Sequence, residues 1–120
     1  MLIAVCFVAP VSMIAQQNAA PPTGPVYVVV HVDVNGPSAV ATANKLLLDY
    51  AAECRKDKGA VRIDVFVQDY KPNHYTVIEV WQTREAYEAH RGRAYSKEYR
   101  EKLQPLLGSP LDERWHGVLQ

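Results

Sequence analysis

An α+β domain of the ferredoxin-like type, ordered βαββαβ, is what this sequence predicts, on three observations. Val26 to Val34 places a valine at every second position, the period of a strand with one buried face. Two further alternating segments, Val61 to Gln68 and Tyr75 to Trp81, lie close enough together to form a hairpin. Apolar residues at spacing three and four fill the stretches before this pair and after it. That order is the split βαβ arrangement, an antiparallel sheet with the helices on one face.

Each element has its own signals. In the first strand Val26, Val28, Val30, Val32 and Val34 form one face, and Tyr27, Val29, His31 and Asp33 the other. Asn35-Gly36-Pro37 breaks it, and Ser38 is the expected helix cap, since its hydroxyl accepts a backbone N–H. Val40, Ala43, Leu47, Tyr50, Ala51 and Cys54 then mark an amphipathic helix, with Lys56 and Lys58 near its C-terminus and Gly59 at the stop. In the second strand Val61, Ile63, Val65 and Val67 alternate with Arg62, Asp64, Phe66 and Gln68. A turn is expected over Tyr70 to Asn73, around Pro72, before the third strand. Thr83 caps a short helix ending near Gly92. A second helical piece carries Tyr95, Tyr99, Leu103 and Leu106, and Gly108 and Pro110 close it. Leu111 to Leu119 is the expected last strand.

The 120 residues fit one domain, and 48% apolar with 22% charged is an ordinary globular composition. Thirteen basic and thirteen acidic residues balance, which argues against nucleic acid as the main partner, because phosphate binding needs a basic face. The first charged residue is Asp33. Met1 to Ala15 is almost wholly apolar, too short to span a bilayer and of the right length for the h-region of a signal peptide. No Lys or Arg precedes it, and no clean small-x-small cleavage site follows. We therefore expect residues 1–25 to be an export leader and linker without a stable membrane anchor, residues 26–120 to be the domain, and the protein to be periplasmic or secreted. With the leader removed, Cys54 stands alone, so no disulfide forms and the thiol is expected to be buried and structural.

Helices cover only one sheet face, yet apolar residues fall on both. Tyr27, Val29 and Phe66 lie on the minority faces of their strands, and Tyr75, Val77 and Trp81 point opposite to Ile78 and Val80. A second copy packed sheet to sheet is the simplest cover, so a homodimer is expected.

Three stretches carry a resemblance. Tyr27 to Val34 (YVVVHVDV), Tyr70 to Trp81 (YKPNHYTVIEVW) and Thr83 to His90 (TREAYEAH) are similar to the antibiotic biosynthesis monooxygenase family. The Glu79-Val80-Trp81 strand end followed by Ala89-His90 on the next helix is the most specific part, and the likeness runs over about residues 26–119 in the family's order. The resemblance implies a dimeric α+β barrel. It implies one of several activities: cofactor-independent oxidation of quinols or aromatic polyketides by O2, haem degradation, or activities not known. Two positions depart from the pattern. Many members carry a second His shortly after Ala-His, where this chain reads Arg93-Ala94-Tyr95-Ser96, with Tyr95 in that place. The axial His of the haem-degrading branch has no counterpart in Tyr99-Arg100-Glu101-Lys102, which disfavours haem chemistry.

An oxygenase without a cofactor needs an electron-rich substrate, a base, a donor for the developing oxyanion and a dry aromatic pocket. His90 is the candidate base, since imidazole titrates near neutral pH. Tyr87 lies three residues before it on the same helix face. Trp81, Tyr75 and Tyr95 are candidate pocket walls. Arg114 and His116 share one face of the last strand and are candidates to polarise an oxygen, with His31 a further candidate on the first strand. His31, His74, His90 and His116 show no metal-ligand spacing, so no metal and no organic cofactor is expected. The expected partners are a small quinol-like or phenolic aromatic and O2. The rival reading is a non-catalytic dimeric module that binds a small apolar ligand, since one fold supports both.

Overall fold

β1 (Val26–Asp33) is a central strand, flanked antiparallel by β3 (Lys71–Trp81) and β4 (Asp112–His116), with β2 (Ala60–Gln68) outside β3 in the order β2-β3-β1-β4. This is the ferredoxin-like sheet, and every neighbouring pair is antiparallel. The computed structural model describes residues 23–120, so the expected leader lies almost wholly outside the described residues. α1 (Gly36–Cys54) connects β1 to β2, while α2 (Arg84–Arg91), α3 (Ala94–Leu103) and a 3-10 turn (Gln104–Leu106) connect β3 to β4. None of the described helices is long and apolar enough to cross a membrane.

The valine face of β1 is the core. Val26, Val28, Val30, Val32 and Val34 are all buried, together with Ala43, Leu47, Ala51 and Cys54 of α1 and Leu103 of α3. His31 on the opposite face is exposed. Register carries this division across the sheet. Val30 lies opposite Val77 and Glu113, whereas Val29 lies opposite Ile78 and Arg114. The helices therefore pack on the side of Val77, Glu79, Trp81 and Glu113, and Tyr27, Val29, Phe66 and Ile78 lie on the side without a helix.

Several boundaries differ from the sequence reading. α1 begins at Gly36, with Pro37 in its first turn and Asn35 as the cap residue, so Ser38 lies inside the helix. The Asn35 amide is used elsewhere, donating to Leu107 O at 3.1 Å. α1 ends at Cys54, and Lys56 and Lys58 lie beyond it rather than in its last turn. The hairpin turn is Asp69-Tyr70 rather than a turn around Pro72, which lies inside β3, where the register with β2 slips between Val67 and Gln68 and the bulge tolerates it. β4 stops at His116, short of the expected Leu119. Thr83 does cap α2, its hydroxyl accepting from Ala86 N at 3.1 Å.

Gly59 fixes how α1 hands over to β2 and how close α2 comes. Its φ is +89°, and a Cβ there would sit 2.6 Å from Ala86 Cβ on α2. Gly59→Ala is therefore expected to lower stability by about 2–4 kcal/mol, combining left-handed strain with overpacking. A denaturant midpoint unchanged from wild type would show that the turn relaxes freely.

Candidate active site

α2 carries the centre of the site. Its helical period places Tyr87 and His90 on the same inward face, and both are buried, at 1% exposure. The His90 ring lies against Trp81 of β3, with centroids 4.4 Å apart and planes at 26°. Both imidazole nitrogens are engaged. Nε2 is 2.9 Å from Tyr50 Oη on α1, and Nδ1 is 2.7 Å from Tyr95 Oη on α3 and 3.2 Å from Asp57 Oδ2 in the turn after α1. Burial lowers the pKa of His90, and Glu79 and Asp57 oppose that effect.

Glu79 is the buried carboxyl group of this cluster, at 2% exposure. Neutral donors hold it: Tyr50 Oη donates to Oε1 at 2.8 Å, and Trp81 Nε1 donates to Oε2 at 2.9 Å. Tyr95 Oη in turn donates to Asp57 Oδ2. Burial pushes both tyrosines far above the ordinary phenol range, so they stay protonated. Tyr50 also stacks on Tyr99, with centroids 3.8 Å apart and planes at 13°.

This assembly borders two spaces. An open cleft of about 170 Å³ between α1 and α3 is lined by Leu46, Tyr50, Tyr95 and Tyr99, with Asp49, Glu53, Glu98 and Lys102 around it. On the sheet side, a void of about 10 Å³ is lined by Tyr50, Glu79, Tyr99, Arg100 and Glu113, with Val30, Val77 and Leu111. The cleft is of single-ring size, since an apolar cavity of roughly 150 Å³ holds one benzene. His90 lines neither space. Its route to both is through tyrosine hydroxyls.

A second polar cluster braces β4 against the helices. Glu113 accepts from Tyr87 Oη at 2.6 Å, Trp115 Nε1 at 3.0 Å and Arg100 at 2.8 Å. Burial alone would raise the Glu113 pKa, but these three donors outweigh it and hold the carboxyl at about 2. A depressed carboxyl stabilises the fold above its unfolded pKa and loses that contribution as pH falls through its folded pKa. Glu113→Gln is thus expected to cost about 3 kcal/mol at neutral pH. In urea melts across the acid range, its gap from wild type should close between pH 4.5 and about 2. A gap independent of pH would refute the ionic contribution.

The expected site residues divide into separate places. His90, Trp81, Tyr87 and Tyr95 do come together. Tyr95 lines the cleft, but Trp81 is wholly buried behind His90, and Tyr87 is turned towards Glu113. Tyr75 belongs elsewhere: its hydroxyl donates to Asn44, and it borders a separate groove between α1 and β2, with Leu47, Leu48, Val65 and Val67. His31, Arg114 and His116 lie on the face of the sheet opposite His90, so they cannot polarise an oxygen beside it. Arg114 pairs with Asp112 of its own strand at 2.9 Å, and His31 meets Thr76 at 3.2 Å. Tyr50, Asp57, Glu79 and Arg100 complete the cluster and were not singled out as site residues from the sequence.

The sequence spacing of the histidines indicates no metal site, yet Cys54, Glu79 and His90 each bring a ligand-type atom within 4.8 Å of the others. Burial pushes the Cys54 thiol up to about 12, so it remains protonated, and the other two are hydrogen-bonded to Tyr50 and Trp81. A cation would have to displace those bonds.

Known structures share this fold. Rv0793 from Mycobacterium tuberculosis is 23% identical with a TM-score of 0.74, the match covering 80% of this chain and 96% of that one. SnoaB, a cofactor-independent oxygenase from Streptomyces nogalater, is 21% identical with a TM-score of 0.71, covering 80% and 94%. A conserved protein from Methanosarcina mazei Go1 is 20% identical with a TM-score of 0.73, covering 78% and 91%. No curated protein matches. The family model for antibiotic biosynthesis monooxygenase matches residues 25–102, which hold all the residues around His90, and the chain belongs to that family.

Proposed function

We propose that the protein oxidises a small quinol-like or phenolic aromatic with O2, without a cofactor, and that His90 takes the substrate proton through the hydroxyl of Tyr50 or Tyr95. One observation carries this reading. A fully buried imidazole reaches, through two tyrosine hydroxyls, the wall of a cleft the size of one aromatic ring. Family membership and the likeness to SnoaB support it.

The chemistry needs little else from the chain. Loss of the phenolic proton makes an electron-rich anion, which gives one electron to O2 to form superoxide. The two radicals combine at a ring carbon that bears hydrogen, para to the oxygen in a phenol or ortho to it in a hydroquinone. The resulting peroxide anion takes back the proton held by His90, and the hydroperoxide loses water to leave a carbonyl at that carbon, so substrate plus O2 becomes a quinone plus H2O. Stacked Tyr50 and Tyr99 offer the ring a flat aromatic surface.

The test is oxygen uptake by the purified protein with a panel of hydroquinones and phenols, with no added flavin, haem or metal and with a chelator present. Turnover under those conditions supports the reading. Saturable ligand binding without uptake across the panel would replace it with a non-catalytic module for small apolar rings. We also propose that the protein is exported and that two copies pack through the helix-free sheet face, which carries Tyr27, Val29, Phe66 and Ile78. Ile78→Glu should then turn a dimer into a monomer by light scattering, whereas a wild-type monomer would refute the dimer.

A further inference from the structure

Five side chains form one continuous row through the core. Glu79 Oε1 is 2.8 Å from Tyr50 Oη, Tyr50 Oη is 2.9 Å from His90 Nε2, His90 Nδ1 is 2.7 Å from Tyr95 Oη, and Tyr95 Oη bonds to Asp57 Oδ2. Each of these four links needs a proton between its two atoms. The two tyrosines supply two, and a neutral imidazole supplies one. Three protons do not fill four links. If Tyr50 donates to Glu79 and Tyr95 donates to Asp57, both nitrogens of His90 must carry hydrogen. If His90 is neutral, one hydroxyl turns towards it, and the carboxylate left behind must carry the proton instead.

We propose that this row is a proton conduit holding one proton beyond those of two ionised carboxylates and a neutral imidazole, and that it joins the Glu79 end of the core to Asp57. The extra proton has three resting places: Glu79, His90 and Asp57. Shifting each hydrogen by one link moves it between them with no heavy atom displaced. At the inner end, Glu79 and Tyr50 border the small void. At the outer end, Asp57 Oδ1 lies 3.5 Å from Arg93 Nε, whose side chain is 61% exposed, so the row ends beside solvent. The other polar groups around the row are the Cys54 thiol, the Trp81 Nε1 donor, and Arg100 with its partner Glu113. Asp57 is thereby a positioning residue that acts through Tyr95 and His90. Its use in turnover, in which one proton leaves the row beside Asp57 as the substrate's proton enters towards His90, rests on the oxygenase reading; the number of protons does not.

Two measurements decide the matter. The first reads the proton count in wild type, by ¹⁵N NMR of the His90 ring and infrared spectroscopy of the carboxyl stretch. The expected result is either two protonated nitrogens on His90, or one protonated carboxyl band that Glu79→Gln or Asp57→Asn removes. A neutral His90 with no protonated carboxyl overturns the proposal. The second reads oxygen uptake with hydroquinone in Asp57→Asn and in the milder Tyr95→Phe, with circular dichroism confirming the fold. A fall in kcat of about tenfold or more with KM little changed is expected, partly restored in Asp57→Asn by formate or imidazole in the buffer. Unchanged kcat in both variants overturns the conduit. If wild type consumes no oxygen, the oxygenase reading fails, and the spectroscopic count still decides whether the extra proton exists.

Discussion

Replacing His90 with glutamine is expected to lower oxygen uptake with hydroquinone by about 10²–10⁴-fold, the range over which a positioned proton acceptor contributes to a rate. KM should change little, because His90 lines neither the cleft nor the void. That division between kcat and KM is the informative part. An interaction made only as the proton moves lowers kcat and kcat/KM together, whereas lost binding raises KM alone. Glutamine keeps hydrogen-bonding atoms near Tyr50 and Tyr95 and leaves the wall of the cleft in place. Turnover within threefold of wild type would remove His90 from the reaction. The cleft would then have to find its base among the carboxylates around it.

Trp81→Ala is expected to have the largest effect on stability. Trp81 is wholly buried, lies flat on the His90 ring and donates from Nε1 to Glu79. Truncating a buried tryptophan costs about 3–5 kcal/mol through lost transfer energy and the remaining cavity. The loss of a donor to a buried carboxylate adds about 1–3 kcal/mol. A domain of this size has roughly 5–15 kcal/mol in total. The variant should therefore lose about 15 °C or more in Tm at fixed protein concentration. Trp81→Phe separates the two contributions, since it keeps a ring against His90 and removes the N–H. A loss below about 1 kcal/mol in the alanine variant would mean that neighbouring rings collapse into the gap, contrary to the close packing of this core.

Both expectations concern residues visible in the sequence, and the reason is local. The valine alternation of β1, the periodicity of α1 and the Thr83 cap are each set by neighbours a few positions away. His90 and Trp81 belonged to a recognisable run. Of the partners of His90, Tyr95 was a candidate from the sequence, but Tyr50, Asp57 and Glu79 were not, because they come from a helix, a turn and a strand that meet only after the sheet has closed. On the sequence alone Tyr50 and Cys54 were simply apolar positions on a helix. The error over Arg114, His116 and His31 has a related origin. Their mutual alternation was read correctly, but which sheet face they share depends on pairing, with Tyr27 opposite His116 and Val29 opposite Arg114. A shift of one residue in β4 would have moved Arg114 and His116 to the helix-covered face.

The position of β1 within the sheet also sets the order of assembly. β1 is the first described strand made, yet its partners β3 and β4 follow much later, with Tyr27 paired to His116 near the other end of the chain. Pairings so distant in sequence carry a heavy loop-closure cost and slow folding. The β2–β3 hairpin, closed by a two-residue turn, has no such penalty and should form early. β4, being short and at an edge, is expected to open first, so its amides should be the earliest in the sheet to exchange with deuterium. Each such opening withdraws Glu113 from Tyr87 and Arg100, so the strand paired across the longest stretch of sequence is also the one whose loss undoes that cluster.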